Sequence, residues 1–225
     1  MISNEEWLGI SHSQLIPLDE RHQLHHAVIT PFKTMQIAAK SDGIDCQLVS
    51  SYRSFERQLS IWNRKWAGET TLYDARGNRL NHTELTADEK IEAILSWSAL
   101  PGGSRHHWGT DFDVYDRHGV ENRNWNFELI VPEYEQNGPC YELACWLNEN
   151  AGKYGFIRPF KQYTGGVAKE PWHLSHSPTA SRYEEARNIH ALKKVLTESD
   201  ISGKDAILIR LEELYDRYVL NRGKL

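Results

Sequence analysis

The stretch SRHHWGTDFDVYD, residues 104–116, decides the fold because its second half alternates between apolar and acidic side chains. Phe112 and Val114 point to one side of an extended chain. Asp111 and Asp113 point to the other side, because successive side chains of a strand face opposite ways. The pattern predicts a half-buried strand that carries two carboxylates on its polar face.

Helices are predicted before this strand, and short strands mixed with helices are predicted after it. Three helix starts carry N-cap signals: Thr30-Pro31, Ser54, and Thr86 in a capping box with Glu89. Further short strands are expected over residues 45–52, 154–160 and 170–176. This order indicates an α+β fold, with a central antiparallel sheet flanked by helices, rather than a doubly wound parallel sheet.

Composition excludes several classes of protein. The 225 residues carry 31 acidic and 26 basic side chains, a net charge of −5, which argues against a nucleic-acid partner. No apolar run approaches the ~18 residues of a membrane span. The three cysteines include no CxxC pair, so a cysteine-based zinc site is excluded. Residues 1–9 lack the features of a signal peptide, so we expect a cytoplasmic protein, or a periplasmic one if a signal segment has been removed.

A second segment, Glu170-Pro171-Trp172-His173, completes a set of metal-binding residue types. His106, Asp113 and His173 offer two nitrogen ligands and one oxygen ligand, which zinc accepts in a tetrahedral site with water in the fourth position. Zinc lowers the pKa of that water to ~7, and Glu170 is a candidate to take its proton. Spacing alone leaves alternatives open: His107 for His106, and Asp111 or Asp116 for Asp113.

The spacing of Glu170 and His173 adds a condition. Residues three apart on a strand face opposite sides of the sheet, so both side chains could not reach one metal from a regular strand. A turn at Pro171 would rotate the chain and bring them together, and we expect such a turn.

Several segments occur in the order found in one known family. They are Ser51-Tyr52-Arg53-Ser54 with Gln58 and Ile61-Trp62, Ser104-x-His106-x-x-Gly109-x-x-x-Asp113, Tyr154-Gly155-Phe156, Thr164-Gly165 and Glu170-Pro171-Trp172-His173. Over roughly residues 30–176 the sequence resembles the VanY-type D-alanyl-D-alanine carboxypeptidases. These belong to a wider group of zinc peptidases that includes the D-Ala-D-Ala dipeptidases and the hedgehog fold.

The resemblance implies a role for each matching residue. His106, Asp113 and His173 correspond to the ligands of one zinc ion per chain. Glu170 corresponds to the general base, which then acts as the acid, and Arg53 to the arginine that stabilises the oxyanion. Two further residues correspond to groups that anchor the substrate: Gln58 and Ser104.

The function implied by the resemblance is hydrolysis of the C-terminal D-Ala from peptidoglycan stem peptides or other D-Ala-terminated peptides. A D,D-dipeptidase or a peptidoglycan endopeptidase could use the same site. A non-catalytic cell-wall binding module is the alternative from another class, because fold alone does not imply function.

Two residues depart from the family pattern, and the end of the chain lies outside it. Asp111 stands where a small residue is usual, and His176 where an aromatic residue is frequent. We expect a catalytic domain over residues 1–180 and a helical extension over 181–225 that packs on it. That extension carries an apolar stripe that either the core or a second copy of the chain must cover: Ile207, Leu211, Leu214 and Tyr218. The sequence leaves the oligomeric state open.

Overall fold

Helices and short strands mix along the chain, and the computed structural model that defines them describes residues 1–223. The strands are β1 (Leu15–Pro17), β2 (Gln23–His25), β3 (Cys46–Ser50), β4 (Leu72–Tyr73), β5 (Arg79–Leu80), β6 (Asp111–Asp116), β7 (Phe156–Ile157) and β8 (His173–His176). The α-helices are α1 (Asn4–Trp7), α2 (His26–Ser41), α3 (Phe55–Trp66), α4 (Ala87–Trp97), α5 (Arg117–Asn122), α6 (Tyr141–Asn150), α7 (Ser177–Glu185), α8 (Ile189–Glu198), α9 (Lys204–Ile209) and α10 (Leu211–Leu214).

A four-stranded antiparallel sheet occupies the centre, in the order β3-β6-β8-β7. The hairpins β1-β2 and β4-β5 form two separate small sheets. The α+β prediction with a central antiparallel sheet flanked by helices is therefore confirmed.

The two faces of the central sheet have different environments. On one face, Phe112, Val114 and Leu174 pack with α2 and α6 in a hydrophobic cluster. On the other face, Asp111 is fully buried and Asp113 is 3% exposed. The prediction of a half-buried strand is wrong, because a network of buried polar groups, rather than water, covers the acidic face of β6.

Two of the three predicted helix starts are confirmed by their caps. The Ser54 hydroxyl accepts a hydrogen bond from the Arg57 amide at the start of α3, and Thr86 forms the capping box of α4 with Glu89. The third helix, α2, begins at His26 instead of after Thr30, because His25 caps it: its Nδ1 accepts from the Ala27 amide at 3.1 Å. Histidine is not among the favoured N-cap residues, so the local signal pointed elsewhere.

The C-terminal region consists of four helices, α7 to α10, and a π-helical turn at Tyr215–Val219. Its predicted apolar stripe is covered by the chain itself, since the stripe packs in one cluster with Trp62 of α3 and Ile94 of α4. Helix α7 runs through residue 180, and the division into a catalytic domain and an extension stays a prediction. Lys224 and Leu225 lie outside the described residues. None of the helices in residues 1–223 combines the length and the apolar character that a membrane crossing requires.

The histidine cap of α2 predicts a pH-dependent stability. Burial, followed by the positive charges of His26 and Arg182, lowers the pKa of His25 to about 4. Between pH ~6.5 and ~4 the unfolded chain binds a proton that the folded chain excludes. The contribution of His25 is thus complete above pH ~6.5, and we expect about 1–3 kcal/mol of it to be lost on acidification to pH ~4.

The measurement is the free energy of unfolding against pH for the wild type and for His25→Asn, whose amide oxygen can accept the same backbone hydrogen bond. The variant should lose part of the decrease between pH ~6.5 and ~4. Identical pH profiles for the two proteins would contradict this role of His25.

Candidate active site

The register of the central sheet brings Asp113 beside residues from both neighbouring strands. Asp113 on β6 pairs directly with His173 on β8 and with Ser50 on β3, next to a bulge. Directly paired side chains lie on the same face with Cβ atoms ~5 Å apart. As a result, the Ser50 hydroxyl donates to Asp113 Oδ2 at 2.6 Å, and His173 Nδ1 lies 3.2 Å from Asp113 Oδ1.

His106 reaches the same place from a short 3₁₀ helix, Arg105–Trp108, that directly precedes β6. The Ser104 hydroxyl caps this helix by accepting from the His106 amide at 3.3 Å. Gly109 ends it in the left-handed conformation at φ 67°, where an added Cβ would overlap Leu15 and the backbone of His25. His106 Nε2 thereby lies 3.4 Å from Asp113 Oδ2.

The outer nitrogen of each ring is held by a hydrogen-bond acceptor. His106 Nδ1 lies 2.8 Å from the carbonyl oxygen of Ser51, and His173 Nε2 lies 3.1 Å from Asp111 Oδ1. An acceptor at one nitrogen places the proton there and leaves the lone pair of the other nitrogen free. His106 Nε2 and His173 Nδ1 are therefore the two free lone pairs, and both face Asp113.

Three facts fit these residues to a zinc ion. The candidate ligand atoms of His106, Asp113 and His173 all lie within 4.8 Å of one another. The separations of 3.2 Å between Asp113 Oδ1 and His173 Nδ1 and 3.4 Å between Asp113 Oδ2 and His106 Nε2 are close to the edge of about 3.3–3.6 Å that bond lengths of ~2.0–2.2 Å give in a tetrahedron. Within residues 1–223, Asp113 Oδ1 and His173 Nδ1 are buried without a hydrogen-bond partner, which is costly unless a ligand binds them.

Glu170 lies at the edge of this triad. Its carbonyl accepts from the His173 amide at 3.3 Å across a turn at Pro171 and Trp172, so the expected rotation of the chain occurs. Glu170 Oε2 lies 3.4 Å from His173 Nδ1. Burial raises the pKa of the Glu170 carboxyl, and the nearby charge of Asp113 acts in the same direction. The turn therefore brings the side chains of Glu170 and His173 to the same side of the chain, next to Asp113.

Arg53 stands on the other side of Asp113, just before α3. Its guanidinium donates to Ser50 Oγ at 2.8 Å, to Asp113 Oδ2 at 3.4 Å and to Gln58 Oε1 at 3.4 Å. These contacts fix the plane of the guanidinium while its side chain stays 23% exposed toward the cavity. Arg53 is thus a fixed donor at the wall of the site.

The two residues predicted to anchor the substrate are both hydrogen-bonded within the protein. Gln58 is fully buried, and its Nε2 donates to the Ala99 carbonyl at 2.8 Å while its Oε1 accepts from Arg53. Ser104 is 1% exposed and caps the 3₁₀ helix. Their contacts position Arg53 and His106, and a direct contact with substrate stays a prediction.

Two residues that spacing had left open as alternative metal ligands, His107 and Asp116, bind other groups of the protein. His107 Nδ1 lies 2.7 Å from the Arg53 carbonyl and its Nε2 accepts from the Gly102 amide at 3.0 Å, so both nitrogens are engaged. Asp116 Oδ1 accepts from the Asp45 amide at the far end of the β3-β6 pair. Neither side chain is available to the triad.

Asp111 forms a second layer behind His173 that the sequence did not reveal. Its carboxylate accepts from Arg105 Nε at 2.6 Å, from the Thr110 hydroxyl at 2.6 Å and from the Ser175 hydroxyl at 3.1 Å. Arg105 is in turn paired with Glu184 at 2.5 Å. Burial by itself raises the pKa of Asp111, but Arg105 and His173 lower it by more, so the carboxylate is charged. The sequence signal was present, since Asp111 replaces a small residue of the family pattern, but its partner was not predictable.

A cavity of ≈ 1140 Å³ opens onto the triad, Glu170 and Arg53. Two segments that sequence reasoning had not connected with the site line its walls: 128–132, from the long loop after β6, and 218–222, from the end of the described chain. Such a volume is slightly above the usual range of about 300–1,000 Å³ for ligand pockets. The site can therefore accommodate a peptide beside the candidate metal ligands.

Comparisons with known proteins agree with this geometry. The family model described as VanY, D-alanyl-D-alanine carboxypeptidase, matches residues 21–179. The D-alanyl-D-alanine carboxypeptidase of Enterococcus faecalis is 32% identical over 142 residues, which cover 62% of this chain but 42% of that protein.

Two solved structures are similar over most of their length. One is a mutant of the vancomycin resistance D,D-pentapeptidase VanY in complex with Zn(II), with a TM-score of 0.52 at 25% identity, covering 78% of this chain and 86% of the other. The second is VanYB in complex with D-alanine-D-alanine, with a TM-score of 0.53 at 25% identity, covering 84% and 91%. The family match spans residues 21–179, and the two solved structures share the fold, so the chain belongs to the VanY family of D-alanyl-D-alanine carboxypeptidases.

Proposed function

We propose that this protein is a zinc-dependent carboxypeptidase that removes the C-terminal D-Ala from peptidoglycan stem peptides. The observation that carries the proposal is the convergence of His106, Asp113 and His173 within 4.8 Å, with the Glu170 carboxylate 3.4 Å from His173. Two relatives support it, because a VanY structure contains Zn(II) and a VanYB structure contains D-alanine-D-alanine.

His106 Nε2, His173 Nδ1 and a carboxylate oxygen of Asp113 would hold the metal. When bound, zinc supplies a Lewis acid that activates a water molecule and polarises the scissile carbonyl. Ser51 and Asp111 hold the outer nitrogens of the two rings, so the lone pairs point inward without reorganisation.

Glu170 moves the proton in the proposed reaction. Its carboxylate accepts a proton from the attacking water and then donates that proton to the departing amine of D-Ala. Burial raises the pKa of Glu170, which improves it as the acid in the second step. Arg53, fixed by Ser50 and Gln58, donates hydrogen bonds to the oxygen of the scissile carbonyl as negative charge develops on it.

The size of the cavity favours a peptide over a free D,D-dipeptide as the substrate. Its walls include segments 128–132 and 218–222, and a dipeptide would leave much of that space unfilled. A peptidoglycan endopeptidase with the same site is the second candidate. Mass spectrometry of the products from a full stem peptide distinguishes the two, because release of free D-Ala alone requires a carboxypeptidase.

Replacing Glu170 should separate metal binding from turnover. We expect Glu170→Gln to bind zinc with little change, because Glu170 is not a ligand in this proposal, and to lower kcat by at least ~10²-fold. The measurements are zinc content and D-Ala release from a stem peptide that ends in D-Ala-D-Ala. Glu185→Gln, an exposed glutamate on the cavity wall, is the matched control and should stay active. Full activity of Glu170→Gln would remove it from the mechanism.

Removing the metal should abolish activity and lower the thermal stability. A chelator should lower Tm, because zinc binds only the folded site, and stoichiometric zinc should restore both properties. His106→Ala should weaken zinc binding strongly, whereas His118→Ala, an exposed histidine, should not. Zinc binding that is equally tight in both variants would show that the metal lies elsewhere.

Asp111 should contribute to zinc affinity through His173 and to the stability of the fold through Arg105, and the two contributions should be separable by mutation. We expect Asp111→Asn to weaken zinc binding by about 10–100-fold, because the carboxylate orients His173, and to destabilise the fold, because Arg105 loses its buried partner. Adding Arg105→Gln should restore part of the stability but not the affinity. The readouts are zinc dissociation constants and unfolding free energies. A double variant that recovers both would show that Asp111 acts on the fold alone.

A further inference from the structure

Helix α3 carries a lysine on the face that turns toward the active-site cavity. Lys65 lies seven residues, or about two turns, after Gln58, so the two residues share a face of α3. Lys65 lines the cavity together with Arg53 and Glu170. A long helical side chain leans toward the N-terminus of its helix, and Arg53 stands just before that end of α3. The ammonium group therefore extends toward the catalytic residues.

Within residues 1–223, this ammonium group has no hydrogen-bond or ion-pair partner. Across residues 1–223, none of the hydrogen bonds or ion pairs involves the side chain of Lys65, which is half-buried. Burial lowers the pKa of Lys65 to about 8; the charge of Arg53 lowers it further, whereas Glu170 raises it. A poorly hydrated cation without a counter-ion costs free energy unless an anion binds beside it.

Other basic residues of the cavity are engaged by protein groups, exposed to solvent, or beside groups other than Glu170. Arg53 is held by Ser50 and Asp113, and Arg105 by Asp111 and Glu184. Arg76 is exposed on its hairpin. Arg187 packs over the Trp108 ring at 5.1 Å, and its Nε is buried without a hydrogen-bond partner within residues 1–223, but the charges that act on it come from Arg105 and Glu184 and not from Glu170. Lys65 is thus the basic group that stands both close to Glu170 and without a protein partner in the described part of the chain.

We propose that Lys65 binds the free C-terminal carboxylate of the substrate. The proposal rests on the carboxypeptidase function proposed above and specifies how the enzyme recognises a chain end. The carboxylate of the leaving residue lies one residue beyond the scissile carbonyl. Arg53 at one end of α3 and Lys65 further along the same face form a wall with two cations, one for the carbonyl oxygen and one for the carboxylate. A substrate that continues beyond this point has no anion for Lys65.

The test compares two stem peptides that are identical except that one ends in D-Ala carboxylate and the other in D-Ala amide. The wild type should favour the carboxylate by about 100-fold in kcat/KM. Lys65→Met should reduce this preference to less than about 5-fold, mainly through a higher KM for the carboxylate peptide, with kcat within about threefold. Arg64→Met, an exposed neighbour on α3 paired with Glu69, is the matched control and should keep the wild-type preference.

Binding to the inactive Glu170→Gln protein gives a second readout that does not need turnover. In the double variant Glu170→Gln/Lys65→Met, the ratio of the dissociation constants for the two peptides should fall in the same way as the kinetic preference. If the wild type cleaves neither peptide, the proposed function fails, and this binding ratio still tests Lys65.

Three results would overturn the proposal. The first is an equal loss for both peptides in Lys65→Met, which would mean that Lys65 only complements the C-terminal end of α3. The second is loss of the carboxylate preference in Arg187→Met but not in Lys65→Met. The third is binding of neither peptide by Glu170→Gln, or binding of both with equal affinity.

Discussion

The direct pairing of Asp113 with His173 across the central antiparallel strands is the contact on which the site depends. Antiparallel register places the two side chains on one face, and Ser50 on the opposite neighbour secures the same carboxylate. A shift of one residue in the register of β6 or β8 would move the side chain of Asp113 or His173 to the opposite face, where the hydrophobic cluster lies. The apolar residues Phe112, Val114 and Leu174 therefore fix the chemistry as well as the core, because their burial sets the register.

Burying so many polar groups on one face of a sheet requires that nearly all of them have partners. Asp111 is fully buried, yet it accepts from Arg105, Thr110 and Ser175, and Arg105 extends the network to Glu184 on α7. This network fixes the His173 ring and joins the sheet to α7 through the ion pair of Arg105 with Glu184. Among residues 1–223, two atoms of this site, Asp113 Oδ1 and His173 Nδ1, are buried without hydrogen-bond partners, and both are of a kind that binds a metal.

The proposed catalytic residues and part of the cavity wall come from different parts of the chain. The triad, Glu170 and Arg53 all lie within the segment matched by the family model. Residues 218–222, which follow that segment, line the same cavity, and the helices before them share a hydrophobic cluster with α3 and α4. Part of the cavity wall therefore lies outside the segment that the family model matches.

The sequence by itself determined the features that depend on short-range spacing. These include the alternation of β6, the caps at Ser54 and Thr86, the α+β class, and the family, whose motifs singled out His106 over His107. Tertiary structure decided the start of α2 at His25, the burial of the acidic face of β6, the partner of Asp111, and the orientation of Lys65. It also showed that the chain covers its own C-terminal stripe. The physical reason is that periodicity and capping act within a few residues, whereas the partner of a buried charge is set by side chains up to 79 positions away in sequence, as with Arg105 and Glu184.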